Sequence, residues 1–309
     1  MPDIFTHFFV ANTVLKDSDF VLEPRFFYLG SQGADLFYYA EVFGTKVGTR
    51  LGFVIHRRNA NLVPQTFAEF ANNLNEKEKH KILSYASGFI THFWADALIH
   101  PWIIYRTGIY DVNDPSTVRH RYLHKSMESA IDFELAKWLG WTPPIGNLLP
   151  HKWFLKFRTL PKSVADAWAY FTTEHYGVSK NVGFLARMAY LGFRAFSFVF
   201  FPPNEFRFKV AKMLERITPF IPWTSYLTNV HPKVDVMNRS HSAWFHPCFP
   251  DEERHESVFD LFQKAVELSR SSIQKFLESP CRYRLPRLSL ENGVEGHCHM
   301  VKFEIFEEI

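Results

Sequence analysis

The stretch GFITHFWADALIHPW, residues 88–102, decides how this chain folds. His92, Asp96 and His100 stand four residues apart, so on an α-helix they stack along one face. Phe, Trp, Ala, Leu and Ile fill most of the positions around them, and a helix apolar on nearly all sides is a buried one. Ionisable groups inside such a helix cost several kcal/mol each unless they are paired or hold a metal. The stretch therefore predicts a core helix with a polar or metal-binding seam.

Helical patterns continue on either side of it. Residues 4–15 are mostly apolar and end at the turn-like KDSD, and a second pattern, 31–43, follows the loop LGSQG. Pro64 opens a helix over 64–74, and 77–105 reads as one long helix containing Pro101. Asp114 or Ser116 caps a helix that runs to Trp138, where Gly140 and TPP stop it. Further helices are expected near 150–157, 161–174, 178–200, 204–217 and 252–278. The last residues, PRLSLENGVEGHCHMVKFEIF, alternate weakly around Asn292-Gly293, which suits a β-hairpin. The class is all-α, a multi-helix bundle with a small C-terminal β-hairpin. The expected organisation is a helical core over 1–140, the helical remainder of the same domain over 141–279, and a tail over 280–309.

Composition narrows the function. With 47% hydrophobic and 22% charged residues the 309-residue chain is globular, and its formal net charge of +3 is too small to argue for nucleic acid. Aromatic residues reach 17%, including 33 Phe, more than a core alone needs. Cys248, Cys281 and Cys298 are odd in number and lack C-x-x-C spacing, so neither a disulfide framework nor a Cys-type zinc site follows. The N-terminal MPDIFTHFFVANTVL has no basic stretch before its apolar part and does not read as a signal peptide. Arg187 and Arg194 interrupt VGFLARMAYLGFRAFSFVFFPP, leaving it short of the roughly 20 apolar residues a membrane span needs. A cytoplasmic protein is expected, with peripheral membrane contact through the aromatic-basic runs HKWFLKFR and FPPNEFRFKVAK if they do not simply pack.

The first half collects a second set of candidates. His7 lies five residues after Pro2, Asp35 follows LGSQGA, and His56 ends RLGFVIH. HKSMESAID sets His124 and Glu128 four apart, with His120 one turn earlier. Two helices thus each present a His/carboxylate pair at the spacing that chelates one ion. Taken alone, His7 or His56 reads as a hydrogen-bonded core histidine, His124 with Glu128 as a solvated helix pair, and His92 with Asp96 as a buried ion pair or hydrogen-bonded dyad; their joint order and spacing favour a metal site. His241 and His246, in NRSHSAWFHP, have no such partner spacing and read as structural.

The blocks MPDIFTHF, LGSQGADLFYY, GFVIHRRN, THFWADALIHPWI and LHKSMESAID, covering about residues 1–140, resemble the zinc-dependent phospholipase C family, whose fold and metal site are shared with P1-type single-strand nucleases. The resemblance implies an all-helical protein with up to three zinc ions in a cleft. It assigns Asp35, His56, His92 and Asp96 to one ion, and His100, His124 and Glu128 to a second. His7 and the shared Asp96 would hold a third, with the terminal amine of Pro2 if Met1 is removed. Asp35 would also be the candidate general base. Three dications against three carboxylates leave a cationic cleft that a phosphoester suits. The reaction implied is cleavage of a phospholipid on the glycerol side of the phosphate by metal-activated water. Phe53 takes one position of the aromatic cage that holds choline in bacterial members, while Leu36 takes the other and leaves it incomplete. The alternatives are a P1-like nuclease or other phosphoesterase, with nucleic acid as partner only in that case, and a non-catalytic, metal-stabilised helical module at a membrane. No protein partner can be inferred.

Overall fold

A computed structural model of the protein describes residues 4–111, 113–141, 144–178, 180–202, 205–218, 223–227, 232–296 and 298–309. Among them the helices are α1 Ile4–Lys16, α2 Pro24–Gly30, α3 Lys46–Arg57, α4 Val63–Ala71, α5 Glu76–Thr107, α6 Val118–Trp138, α7 Pro144–Asn147, α8 Pro150–Trp153, α9 Lys162–Tyr176, α10 Val182–Phe200, α11 Glu205–Ile217 and α12 Val258–Glu278. The all-α class expected from the sequence is what the chain forms.

The long helix α5 is the axis. The Asn75 side chain caps it by accepting from the Glu78 backbone N–H, and Glu76 and Glu78 place negative charge in its first turn. Its apolar middle is sealed, with Phe89, Ile90, Phe93, Ala95 and Ile99 fully buried. Helices α1, α2, α4 and α12 pack around it. Residues on both sides of position 140 share the core: Phe5 meets Phe154 with ring centres 5.6 Å apart, and Phe37 meets Trp168 at 5.1 Å. Among the described residues α10 is the one helix long and apolar enough to cross a membrane by length and composition. In this fold one side of it lies against the segment Gly33–Phe43, and Tyr190 and Phe193 are buried.

Several expectations shift, among them the helix expected near 150–157, which forms only over Pro150–Trp153. Gly33–Phe43 winds as a 3₁₀ helix rather than the α-helix expected over 31–43. So long a 3₁₀ run marks a functional or strained segment, and this one carries Asp35. The helix expected over 252–278 begins at Val258, where Ser257 and Asp260 form a reciprocal capping box. The residues before it are one arm of the hairpin, with strands β1 Trp244–His246 and β2 Phe249–Arg254 pairing antiparallel. The hairpin is therefore centred on Pro247-Cys248, not on Asn292-Gly293. Around Asn292 the chain makes a tight turn, Ser289 N–H to Val294 O 2.9 Å and Gly293 N–H to Ser289 O 2.8 Å. Beyond that turn the tail bonds to other elements: Glu304 N–H donates to Tyr105 O, and Phe306 N–H to Arg106 O. Finally, Cys248 and Cys298 form a disulfide, with Cα atoms 5.7 Å apart. Spacing could not show this pairing, because the fold brings the tail beside the hairpin.

Candidate metal centre

Three elements deliver the first cluster: the 3₁₀ segment brings Asp35, the last turn of α3 brings His56, and α5 brings His92 and Asp96. Gly33, with φ of 50°, turns the chain so that Asp35 faces α5. His56 Nε2 lies 3.0 Å from Asp35 Oδ1 and 3.5 Å from Asp96 Oδ2, and His92 Nε2 lies 3.2 Å from Asp96 Oδ2. All four residues offer donor atoms within 4.8 Å of one another. Three of the four are sealed from solvent, while the Asp35 side chain is 15% exposed.

These contacts lack the direction of hydrogen bonds. Nε2 of His7, His56 and His92, Oδ1 of Asp35 and both oxygens of Asp96 are buried without a hydrogen-bond partner among the described residues. Burying so many polar atoms unmatched is costly. Ligand atoms on a tetrahedron of radius about 2.1 Å stand roughly 3.4 Å apart, so the spacing fits donors converging on one cation. Imidazole and carboxylate without thiolate suit zinc.

The second cluster joins α5 to α6. His100 Nε2 is 3.2 Å from His124 Nε2, which is 3.1 Å from Glu128 Oε1. Its donor atoms also lie within 4.8 Å of one another. Lys125 approaches the other Glu128 oxygen at 3.4 Å.

Outer contacts fix which nitrogen faces inward. His56 Nδ1–H donates to Gly52 O at 2.7 Å, and His100 Nδ1–H donates to Leu290 O at 3.1 Å. In both cases Nε2 is left for a ligand, the usual arrangement behind a metal-bound histidine. Leu290 N–H also donates to His56 O at 2.8 Å. One tail residue thus ties the backbone of the first cluster to a ring of the second. The neighbouring Glu291 takes a two-pronged ion pair from Arg57, at 2.5 and 2.8 Å.

The charge states divide. Burial lowers the pKa of His56, but Asp35 and Asp96 outweigh it and raise the group to about 10; His7 is raised by the same carboxylates against the same burial. Burial dominates at His92, pushing it down to about 3, and holds His100 and His124 below the usual range. Burial opposes ionisation of Asp35, yet His56 and His7 outweigh it and keep the carboxyl well below its usual range. At Glu128 burial is likewise outweighed, by positive charge that includes Lys125 and His124. Asp35 and Glu128 are therefore held ionised, His92, His100 and His124 are held neutral, and His56 holds a proton that a cation would have to displace.

His7 stands beside the first cluster, its Nδ1 3.3 Å from His92 Nδ1 and its Nε2 3.4 Å from Asp35 and 3.5 Å from Asp96. Pro2 lies outside the described residues. His120 is not drawn in; its Nδ1–H donates to Ile109 O at 2.8 Å. Phe53 is exposed, and the Arg57 guanidinium already covers its ring at 3.7 Å. Leu36 is core.

Two contributors were missed from the sequence. Leu290 acts through its backbone and leaves no signature. Asp132 accepts from Phe5 N–H at 2.9 Å and from Thr6 N–H and Oγ1–H at 2.6 Å, which pins the start of α1 beside His7. Its place four residues after Glu128, in line with His124, was the available signal.

The family described as zinc dependent phospholipase C matches residues 6–190, more than half of the chain. No curated protein and no solved structure matches it.

Proposed function

Because the chain belongs to the zinc-dependent phospholipase C family, and is to that extent a zinc-dependent hydrolase, we propose that both clusters hold zinc and that it cleaves a phospholipid on the glycerol side of the phosphate. The observation that carries this reading is the set of buried, unmatched donors on His7, Asp35, His56, His92 and Asp96. Asp35, His56, His92 and Asp96 are the ligands of one ion in this reading, and His100, His124 and Glu128 those of another. A third ion, between His7 and Asp96, depends on the terminal amine of Pro2. Zinc, when bound there, supplies Lewis acidity toward a phosphoryl oxygen and makes water a nucleophile at neutral pH.

The chain's own residues supply the rest. Asp96, fully buried, turns its two oxygens toward His92, His56 and His7, so that one carboxylate serves all three rings. Asp35 is the carboxylate of this cluster that solvent reaches, so it is our choice for the group that takes the proton of the attacking water. The His56 and His100 rings are held by the Gly52 and Leu290 carbonyls and need no reorientation as substrate enters. With Arg57 over Phe53 and Leu36 in the core, a choline cage is not supported, and the head group is left to experiment. The Cys248–Cys298 bond sits more easily with an oxidising compartment than with the cytoplasm.

The test is elemental analysis of the purified protein with product analysis on defined phospholipids. Two or three zinc ions per chain, with release of diacylglycerol and a phosphorylated head group, are expected. Release of phosphatidic acid, or no zinc retained after reconstitution, overturns the reading.

A further inference from the structure

Helices α10 and α11 leave a large apolar surface uncovered. On α10 the exposed residues Phe184, Leu191 and Phe198 recur every seven positions, one outward stripe of the helix. On α11, among the described residues, only Ala211 is buried, and the exposed Phe206, Met213 and Ile217 fall on one side of that helix. These are not marginal exposures: Phe198 is 82% exposed and Phe206 74%. Side chains this large left in water forgo the free energy that burying them would give. Large apolar side chains exposed along one side of a helix mark a binding face.

The charge beside the stripe indicates what binds. Lys209, Lys212 and Arg216 are exposed along one flank of α11, and no ion pair engages them among the described residues. Of the two acidic residues on that helix, Glu215 is occupied by Thr224, whose N–H and Oγ1–H donate to it at 2.7 and 2.6 Å. Phenylalanine on one face with Lys and Arg at its edge is the pattern of a helix lying in a lipid interface. A second copy of the chain is a poorer occupant, because a two-fold contact would set this cationic flank against its own counterpart. A pocket of about 520 Å³ opens on the same face of α10, with Leu160, Met188 and Leu191 as apolar wall and Lys162 and Arg187 at hand. Arg187 Nε is buried there without a hydrogen-bond partner among the described residues, which suits the phosphate of an anionic amphiphile.

The surface also continues toward the metal centre. Val42 lies beside Gly192 of α10, and Leu185 lies beside Gly48 of α3. Val42, Phe43 and Val47 are themselves exposed, so apolar surface runs from α10 to the helix whose last turn carries His56.

We propose that the outward stripe of α10 and α11 docks this protein on an anionic phospholipid bilayer. This rests on the phospholipid-hydrolase reading, which supplies the bilayer as the place of work. The test is co-sedimentation of the full chain with vesicles of phosphatidylcholine alone or mixed with phosphatidylglycerol. It is run alongside zinc content, size-exclusion mass and hydrolysis of a short-chain phospholipid dissolved as monomer. Two variants are compared with the parent: F198S/F206S/I217S for the stripe, and K209E/K212E/R216E for its flank. The parent is expected to bind the mixed vesicles in a salt-dependent way. Each variant should bind at least about tenfold more weakly, with zinc content and monomer hydrolysis unchanged. Unchanged vesicle binding by both variants overturns the proposal, as does a parent dimer that the stripe variant converts to monomer. If no protein hydrolyses the monomer yet binding follows the stripe, the catalytic reading fails and the docking face stands.

Discussion

Gly33 presses against His92 so closely that a Cβ built there would sit 2.0 Å from the imidazole Cδ2. The same residue has φ of 50°, in the left-handed region that side chains disfavour. Gly33→Ala therefore has to move the ring, the 3₁₀ segment, or both. It should destabilise the protein by about 1–3 kcal/mol and lower its zinc content, read by a urea melt and by elemental analysis. Wild-type values for both would show that the ring has room to yield.

Asp96 reaches His7, His56 and His92 at 3.2–3.5 Å. Asp96→Asn keeps the shape and removes the charge. Zinc affinity of the first cluster should fall by at least about a hundredfold, the upper end for loss of an outer-shell partner, with helix content unchanged. Chelator competition measures it.

The metal-free protein should have a pH optimum of stability near 6.5. Above the ordinary value of 6.5 and up to about 10, folded His56 keeps a proton that the unfolded chain releases, so stability falls as pH rises. Below 6.5 the sign reverses. Burial keeps folded His92 neutral down to about 3 and His246 neutral to about 4, while the unfolded chain is protonated, so stability falls as pH falls. With zinc bound the His56 proton has been displaced, and the alkaline decline should vanish. Thermal melts across pH, with and without chelator, check both limbs.

The Cys248–Cys298 bond closes a separation of 50 residues, worth about 4 kcal/mol on the chain-entropy model. Breaking it by Cys298→Ser should lower stability by up to that amount. It should also weaken zinc at the second cluster, because the tail that carries Leu290 to His100 is then less firmly held. An unaltered second-site affinity would mean that the Leu290 contacts hold without the bond.

Asp132→Asn loosens the start of α1. Three hydrogen bonds converge on that buried carboxylate, and bonds to a charged group are worth about 1.5–3 kcal/mol each. The expected loss is at least one such bond, seen in the urea midpoint, together with faster hydrogen exchange in the first turn of α1.

Much of this centre was legible because spacing on a helix is geometry. Four-residue intervals on α5 and α6 put His92, Asp96 and His100 on one seam and His124 and Glu128 on another. Asp35 and His56 could be proposed from their place in the order, but nothing local fixes where a loop segment meets a distant helix. The Leu290 contacts were invisible because every residue has the same backbone amide. The hairpin was expected at Asn292-Gly293, a good turn signal, whereas the strands formed where Trp244 could be fully buried. Pairing of strands and of cysteines is settled by tertiary neighbours, which composition does not encode.

The Leu290 contact also sets a timetable. The candidate ligands all lie within the first 128 positions, yet the residue whose carbonyl orients His100 and whose amide holds the His56 backbone, Leu290, is synthesised long after the last of them. A growing chain can carry every candidate donor and still lack the clasp that aligns them. The centre is finished only once Leu290 has been made, so a chain ended before it would keep the ligands and lose their alignment.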